Sequence, residues 1–334
     1  MAKRRLLLWL YILLACTVLR GLFFYLHLQA PLDVPENYTF EVASGTTFNR
    51  LITRFAAEGI VSHPFDLRLY GRLSGRADAI KAGEYRLEPG MTGRDLLAEL
   101  ARGDVVVHQL VIVEGWTLAQ AMAAIRGNAM VTATPELQDG DAVRRLLGVD
   151  VYPEGRIFPD TYNFSRGTTD REIVQRAGRL MAEILSAEWA GRDVGLPYAN
   201  PDEALVMASI IEKETALASE REQIAGVFVR RLQRGMRLQT DPTVIYGLGE
   251  DFSGNLTRAD LQRPSAYNTY LNGGLPPTPI ALPGRDAIHA SLHPDDSDTL
   301  YFVARGDGSH VFSSTLAEHE AAVQRYQMGN LQDQ

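Results

Sequence analysis

Hydrophobic positions form three kinds of pattern along this chain of 334 residues. The first is a continuous apolar run. Residues 6–19 carry no charge, Arg20 interrupts, and residues 21–28 resume as an apolar stretch containing Phe23, Phe24 and Tyr25. The uncharged run alone is shorter than the ~20 residues that a bilayer-crossing helix needs. Carried through Leu26 it is long enough, with Arg20 near one end, where a long cationic side chain can reach the headgroups. Lys3, Arg4 and Arg5 precede the run and no Lys or Arg closely follows it. This predicts a single-pass anchor over residues 1–30, its N-terminus cytoplasmic and the body of the chain outside. A cleaved signal peptide is the rival reading, but Leu28-Gln29-Ala30 is a poor small-x-small site. Cys16 follows a loose lipoprotein-like box, Leu13-Leu14-Ala15. The apolar run continues past it, which favours an apolar residue inside a helix.

The second pattern is a weak repeat that follows a short polar linker over residues 31–39. Val42-Ala43-Ser44-Gly45-Thr46-Thr47, Leu87-Glu88-Pro89-Gly90-Met91-Thr92 and Val113-Glu114-Gly115-Trp116-Thr117 each precede a short amphipathic stretch. Each copy reads as a strand, a glycine turn, a threonine cap and a helix. Such units resemble the glycan-binding LysM module, which sets a LysM-like subdomain at residues 40–125. Packing of small α+β units without any sugar contact accounts for the spacing equally well.

The third pattern is helical and fills residues 126–334. Ile173, Ala177, Leu180, Met181 and Ile184 predict a helix over 170–189. Asn200-Pro201-Asp202-Glu203 has the form of a helix start, with an Asn cap, a proline at the first position and Glu203 as capping partner. The helix then carries Leu205, Val206, Met207, Ile210 and Ile211 and ends on Glu212-Lys213-Glu214. Ser219-Glu220-Arg221-Glu222 reads as a second capping box for a following helix that stops at Gly235.

The two carboxylates at the end of the first helix differ in surroundings. Met207, Ile210 and Ile211 lie seven, four and three positions before Glu214, which therefore continues an apolar stripe. Glu212 follows Leu205, Ala208 and Ser209, a less apolar row. Burial and a helix C-terminus both raise a carboxyl pKa, as a general acid working near neutrality requires. Spacing alone favours a solvated or ion-paired surface glutamate at this position. Downstream, residues 236–247 read as strand and turn. They and the segments around Tyr267 and Gly274 set amides, hydroxyls and Tyr rings among Pro and Gly, a composition suited to sugars.

Composition narrows the remaining classes. The chain has 33 basic and 41 acidic residues, a net charge of −8, which argues against gripping a phosphate backbone. A single cysteine excludes an intramolecular disulfide framework and a Cys-rich zinc site. His289 and His293 stand four apart, with His310 and His319 downstream, but no His-Glu-x-x-His pattern accompanies them and Pro294 ends the local helix. They are expected to be surface histidines, and no metal or cofactor is predicted.

Several motifs together are similar to the YceG-like family of endolytic murein transglycosylases. They are Ala208-Ser209-Ile210-Ile211-Glu212-Lys213-Glu214-Thr215, Ser219-Glu220-Arg221, Arg237-Leu238-Gln239-Thr240-Asp241-Pro242-Thr243-Val244-Ile245-Tyr246-Gly247 and Tyr267-Asn268-Thr269-Tyr270. Phe158-Pro159-Asp160-Thr161-Tyr162 and Gly274-Leu275-Pro276-Pro277 belong with them. The resemblance runs from the anchor to about Tyr326. It implies an α+β fold built of an anchor helix, a LysM-like subdomain and a mixed α+β catalytic domain over residues 126–334. It implies cleavage of the β-1,4 bond between N-acetylmuramic acid and N-acetylglucosamine inside peptidoglycan strands, with 1,6-anhydro ends as product. The catalytic glutamate of the family falls on Glu214. Gln239, Asp241, Thr243, Tyr246, Tyr267 and Asn268 are expected to line the substrate cleft, with Glu154 and Asp160 as further candidates. Peptidoglycan strands are the implied partner, membrane-bound peptidoglycan synthases the implied neighbours, and the inner membrane the implied location. Two alternatives stay open: a lysozyme-type hydrolase with Asp241 as second carboxylate, and a non-catalytic peptidoglycan-binding scaffold.

Overall fold

The structure is a computed structural model and describes residues 2–328. It is a mixed α+β protein in two compact units. One unit holds the chain up to His108 together with Asn163–Gly167; the other holds Gln109–Tyr162 and Thr168 onward. The third copy of the repeat, expected with the first two in a subdomain ending at residue 125, therefore belongs to the second unit.

The first unit opens with helix α1 (Ala2–Gln29). Among the described residues, this is the one helix long and apolar enough to cross a membrane, with a mean hydropathy of 2.1 over an 18-residue stretch inside Lys3–Gln29. Arg20 pairs with Asp66, a nearly buried residue of helix α3 (Pro64–Leu73), which also takes the His27 ring at 2.6 Å. A buried carboxylate is costly without a cationic partner, and this pairing offsets that cost.

Strand β1 (Tyr38–Val42), helix α2 (Phe48–Ala57), helix α3 (Pro64–Leu73), strand β2 (Gly83–Leu87) and helix α4 (Gly93–Arg102) complete this unit. β1 and β2 run antiparallel with Tyr38 opposite Leu87 and Val42 opposite Gly83. The repeat is real in backbone terms. Gly45 and Gly90 take the left-handed conformation, while Thr47 and Thr92 accept the backbone N–H of Arg50 and Asp95 to start α2 and α4. Apolar faces of both helices and of the ribbon meet in a core of Phe40, Phe48, Ile52, Phe55, Tyr85, Leu97 and Leu100. Residues 31–39, expected as a linker, are laid along the unit. Leu32 N–H donates to Met91 at 2.7 Å, Asp33 N–H donates to Ile60, and Leu28 is buried in the core.

The chain passes between units within strand β3 (Val107–Val111) and again within β4 (Thr161–Ser165). The second unit is largely helical: α5 (Leu118–Gly127), α6 (Gly140–Leu147), α7 (Asp170–Ala190), α8 (Pro201–Glu214), α9 (Arg221–Gln233), α10 (Asp241–Leu248), α11 (Arg258–Leu261) and α12 (Arg285–Leu292). An antiparallel hairpin, β5 (Tyr301–Ala304) with β6 (His310–Ser313), and helix α13 (Leu316–Val323) follow. α8 is the central element. All eight residues from Ala204 to Ile211 are buried, packed by α7, α9 and α12.

Two local expectations fail here. α9 starts without a side-chain cap because Ser219, the expected cap, lies inside a short 3₁₀ turn over Ala218–Glu220; the Glu220 carboxylate accepts the His310 N–H at 3.0 Å and lies 2.7 Å from its ring Nδ1. The stretch expected as strand and turn forms no strand: residues 236–240 are irregular, with Gln239 at positive φ. A proline in its first turn then sets helix α10 over Asp241–Leu248.

Candidate active site

Glu214 is the last residue of α8, and Thr215 follows in extended conformation. The helix is delivered there by its start: the Asn200 side chain accepts the Glu203 N–H at 3.1 Å and Pro201 takes the first turn. Because α8 is buried all round, the apolar-stripe argument separates its two carboxylates less sharply than the spacing implied. Glu212 is also pushed up by burial, and it accepts the Gly284 N–H at 3.0 Å. The difference lies in what each faces. Glu214 lines a cavity of about 420 Å³, and Glu212 does not.

The cavity is built from sequence-distant pieces. Residues 238–241 enter between α9 and α10, Arg231 comes from α9, Tyr270 from a loop, Tyr301 and His310 from the β5–β6 hairpin, and Leu316 and His319 from α13. Burial raises the Glu214 carboxyl to about 7. The Thr240 hydroxyl donates to its Oε1 and opposes the rise, Asp241 adds to it, and His310 and Arg231 oppose it more weakly. Half-buried, near neutrality and held by one oxygen, this carboxyl can both give and take a proton at the cavity.

The segment carrying Gln239, Thr240 and Asp241 is tied down from behind. Among the described residues Gln239 is one of two non-glycine residues with positive φ, at 53°, and its N–H donates to Thr269 O at 3.3 Å. Thr240 N–H donates to Thr269 Oγ1 at 3.1 Å, and the Thr243 and Thr269 hydroxyls share a bond of 2.8 Å. Tyr270 donates to Asp241 Oδ1 at 2.6 Å. Arg231, almost buried, donates to Leu300 O and Leu238 O and lies over the Tyr301 ring at 5.3 Å.

Of the residues expected in a cleft, Glu214, Gln239 and Asp241 meet at this cavity. Thr243 and Asn268 do not line it. Both are buried and satisfied internally, Asn268 donating to Leu261 O and Arg263 O and accepting the Tyr270 N–H at 2.9 Å. Tyr246 and Tyr267 stack edge to face at 4.8 Å in a separate cluster. There Tyr246 donates to Glu154 at 3.0 Å and Tyr267 shares a bond with Thr278. Glu154 is buried, accepts the Leu118 N–H at 2.7 Å, and is raised to about 7 by burial. Asp160 is exposed and accepts its neighbour Thr161 N–H. Gly274-Leu275-Pro276-Pro277 lines a second cavity of about 540 Å³. Thr240, Tyr270, Arg231, Tyr301 and His310 escaped the sequence reading as site residues. The first two sit inside its motifs, whereas the other three carried no local signal.

Among the described residues, one group can hold a metal ion: Glu188, His289 and His293, whose ligand atoms lie within 4.8 Å of one another. None of them lines the Glu214 cavity.

Comparison with known proteins adds an independent line. The profile of the YceG-like family matches residues 40–325. A protein of Bacillus subtilis (strain 168) named endolytic murein transglycosylase is 31% identical over 316 residues, which is 88% of this chain and 86% of its own length. A protein of the same name from Streptococcus pneumoniae (strain D39) is 30% identical over 320 residues, 85% of this chain but 57% of the pneumococcal one. A solved structure of a YceG-like protein from Listeria monocytogenes aligns with a TM-score of 0.54 at 31% identity, over 86% of this chain and 100% of the other.

Proposed function

The chain belongs to the YceG-like family, and from that premise we propose that it is a peptidoglycan transglycosylase of the lyase type, cutting within glycan strands. The observation that carries this reading is Glu214: a carboxyl near neutral pKa, opening onto a cavity and held by a hydroxyl through one oxygen. In the neutral form Glu214 protonates the glycosidic oxygen as the bond from muramic acid C1 breaks. The resulting carboxylate then removes the proton of the C6 hydroxyl, whose oxygen closes onto C1. The proton given is regained, no water is consumed, and the product ends in a 1,6-anhydro ring. The nucleophile comes from the substrate, so one carboxyl suffices where ordinary glycosidases use two.

Gln239, Asp241 and Tyr270 are assigned to holding the sugar, Arg231 and His310 to setting the charge around Glu214. Thr243 and Asn268 shape the loops behind it. α1 serves as a single-pass anchor with a cytoplasmic N-terminus. It holds the enzyme at the inner membrane beside membrane-bound peptidoglycan synthases, where cutting ends the growth of nascent strands. The first unit serves as a LysM-like glycan-binding subdomain.

The second carboxylate at the cavity, Asp241, favours one competing reading, a lysozyme-type hydrolase. Mass spectrometry of products from isolated sacculi separates the two. Anhydro-muramic ends with wild type and none with Glu214→Gln support the proposal. Reducing muramic ends identify a hydrolase, and no soluble product at all identifies a binding protein.

A further inference from the structure

Away from the Glu214 cavity, the end of α7 meets the end of α12. Glu188 lies in the last turn of α7, and His289 and His293 stand one helical turn apart at the end of α12. We propose that Glu188, His289 and His293 form a binding site for a divalent transition-metal ion of the Zn²⁺ class, which fastens α7 to α12.

The arrangement has the parts such a site needs. The two imidazole rings are 4.3 Å apart and tilted by 30°. One ligand atom from each of the three residues lies within 4.8 Å of the others. Zinc takes imidazole nitrogen and carboxylate oxygen at about 2.0–2.2 Å, so its ligand atoms stand roughly 3.3 Å apart. Binding would require the three ligand atoms to close from within 4.8 Å to that spacing, shifts of about an ångström. His289 is about half exposed and His293 partly so, which leaves an ion a path from solvent.

The surrounding groups orient the ligands. Asp193 Oδ1 lies 3.1 Å from His293 Nδ1, and its backbone N–H donates to Leu292 O at 3.0 Å. That bond presents the opposite nitrogen, Nε2, for coordination, as carboxylates behind metal-bound histidines do. Arg285 holds Glu188 Oε1 at 3.1 Å and leaves Oε2 beside His289, 2.9 Å from its Nδ1.

Two imidazoles and one carboxylate select Zn²⁺, Cu²⁺ or Ni²⁺ over Mg²⁺ and Ca²⁺, which demand more oxygen ligands. Three protein ligands leave a fourth position to water. The ion would lock α12, which packs against α8, to α7. This reading is independent of the transglycosylase assignment.

The test uses the full chain in detergent, stripped with a chelator, and ZnCl₂ as the titrant in calorimetry. One equivalent bound per chain with a Kd on the order of micromolar, together with a higher Tm, is the expected result. His289→Gln and His293→Gln should each weaken binding by about tenfold or more, and Asp193→Asn by about tenfold through the orientation of His293. Glu188→Gln, which keeps an acceptor for Arg285, should weaken it as well. MgCl₂ should give neither heat nor a Tm change. Co²⁺ should develop visible absorption bands that His293→Gln abolishes. Absence of Zn²⁺ binding up to millimolar concentration overturns the proposal. So does wild-type affinity in both His293→Gln and Glu188→Gln, which would put the ion on other groups, with the four residues serving only as two surface ion pairs.

Discussion

The Thr240 hydroxyl donates to Glu214 Oε1, so the residue that precedes one helix holds the last residue of another. Burial lifts the Glu214 carboxyl to about 7 and this bond restrains the rise. A structural junction and the proposed proton-transfer group are therefore the same place.

Glu214→Gln should reduce turnover on sacculi by about 10²–10⁴-fold, since an amide neither gives nor takes the proton. Thr240→Val keeps the volume and removes the restraint, so Glu214 should titrate at higher pH. The alkaline limb of the pH–rate profile, where the acid form is lost, should then move upward. An unchanged limb would show that the bond does not tune the carboxyl.

Glu154 makes stability pH-dependent with an uncommon sign. Its carboxyl is raised by burial from 4.5 to about 7, so the folded state binds the proton more tightly than the unfolded state does. Stability is fully present below about 4.5 and falls as pH rises to about 7. Tyr246 donates to this carboxyl, and Tyr246→Phe should destabilise by about 1–3 kcal/mol at pH 8, where the buried charge loses a donor. The loss at pH 5 should be smaller. Urea titrations at the two pH values measure the difference, and equal losses would refute the assignment.

Gln239 holds a positive φ that costs a non-glycine residue roughly 1 kcal/mol or more. Gln239→Gly removes that strain and the side chain at the cavity together. Stability should stay within about 1 kcal/mol of wild type, or rise, while KM for glycan strands increases. A clear loss of stability would show that the Gln side chain is a packing element.

Asp66 gathers Arg20 and His27 of α1 onto α3. Asp66→Ala leaves both without this carboxylate at a nearly buried site, so the junction should open. Hydrogen exchange of residues 21–36 should rise by tenfold or more, equivalent to about 1.4 kcal/mol of local stability. Exchange confined to wild-type values would mean that Leu28 and the backbone bonds of residues 32–33 suffice.

The sequence by itself determined the features that depend on a few neighbouring residues. Glycine turns followed by threonine caps start α2 and α4, and Asn200 with Pro201 starts α8, because a cap bonds to an N–H only three positions away. Long motifs marked the family, and it was their resemblance, more than the apolar stripe, that drew the candidate role onto Glu214. The Ser219–Glu222 capping box is not made: Ser219 lies within a 3₁₀ turn, and its neighbour Glu220 is bonded to His310, ninety positions on.

Tertiary structure alone decided which polar side chains of the motifs face the cavity. Gln239, Asp241 and Tyr270 do, while Thr243 and Asn268 spend their hydrogen bonds on the backbone behind it. It also brought Arg231 and His310 to Glu214, and Glu188 to the His289–His293 pair, which stands roughly a hundred residues further along. The reason is physical: hydrogen-bond capacity is written in each residue, but its direction is set by which helices pack together, and that depends on the whole apolar core at once.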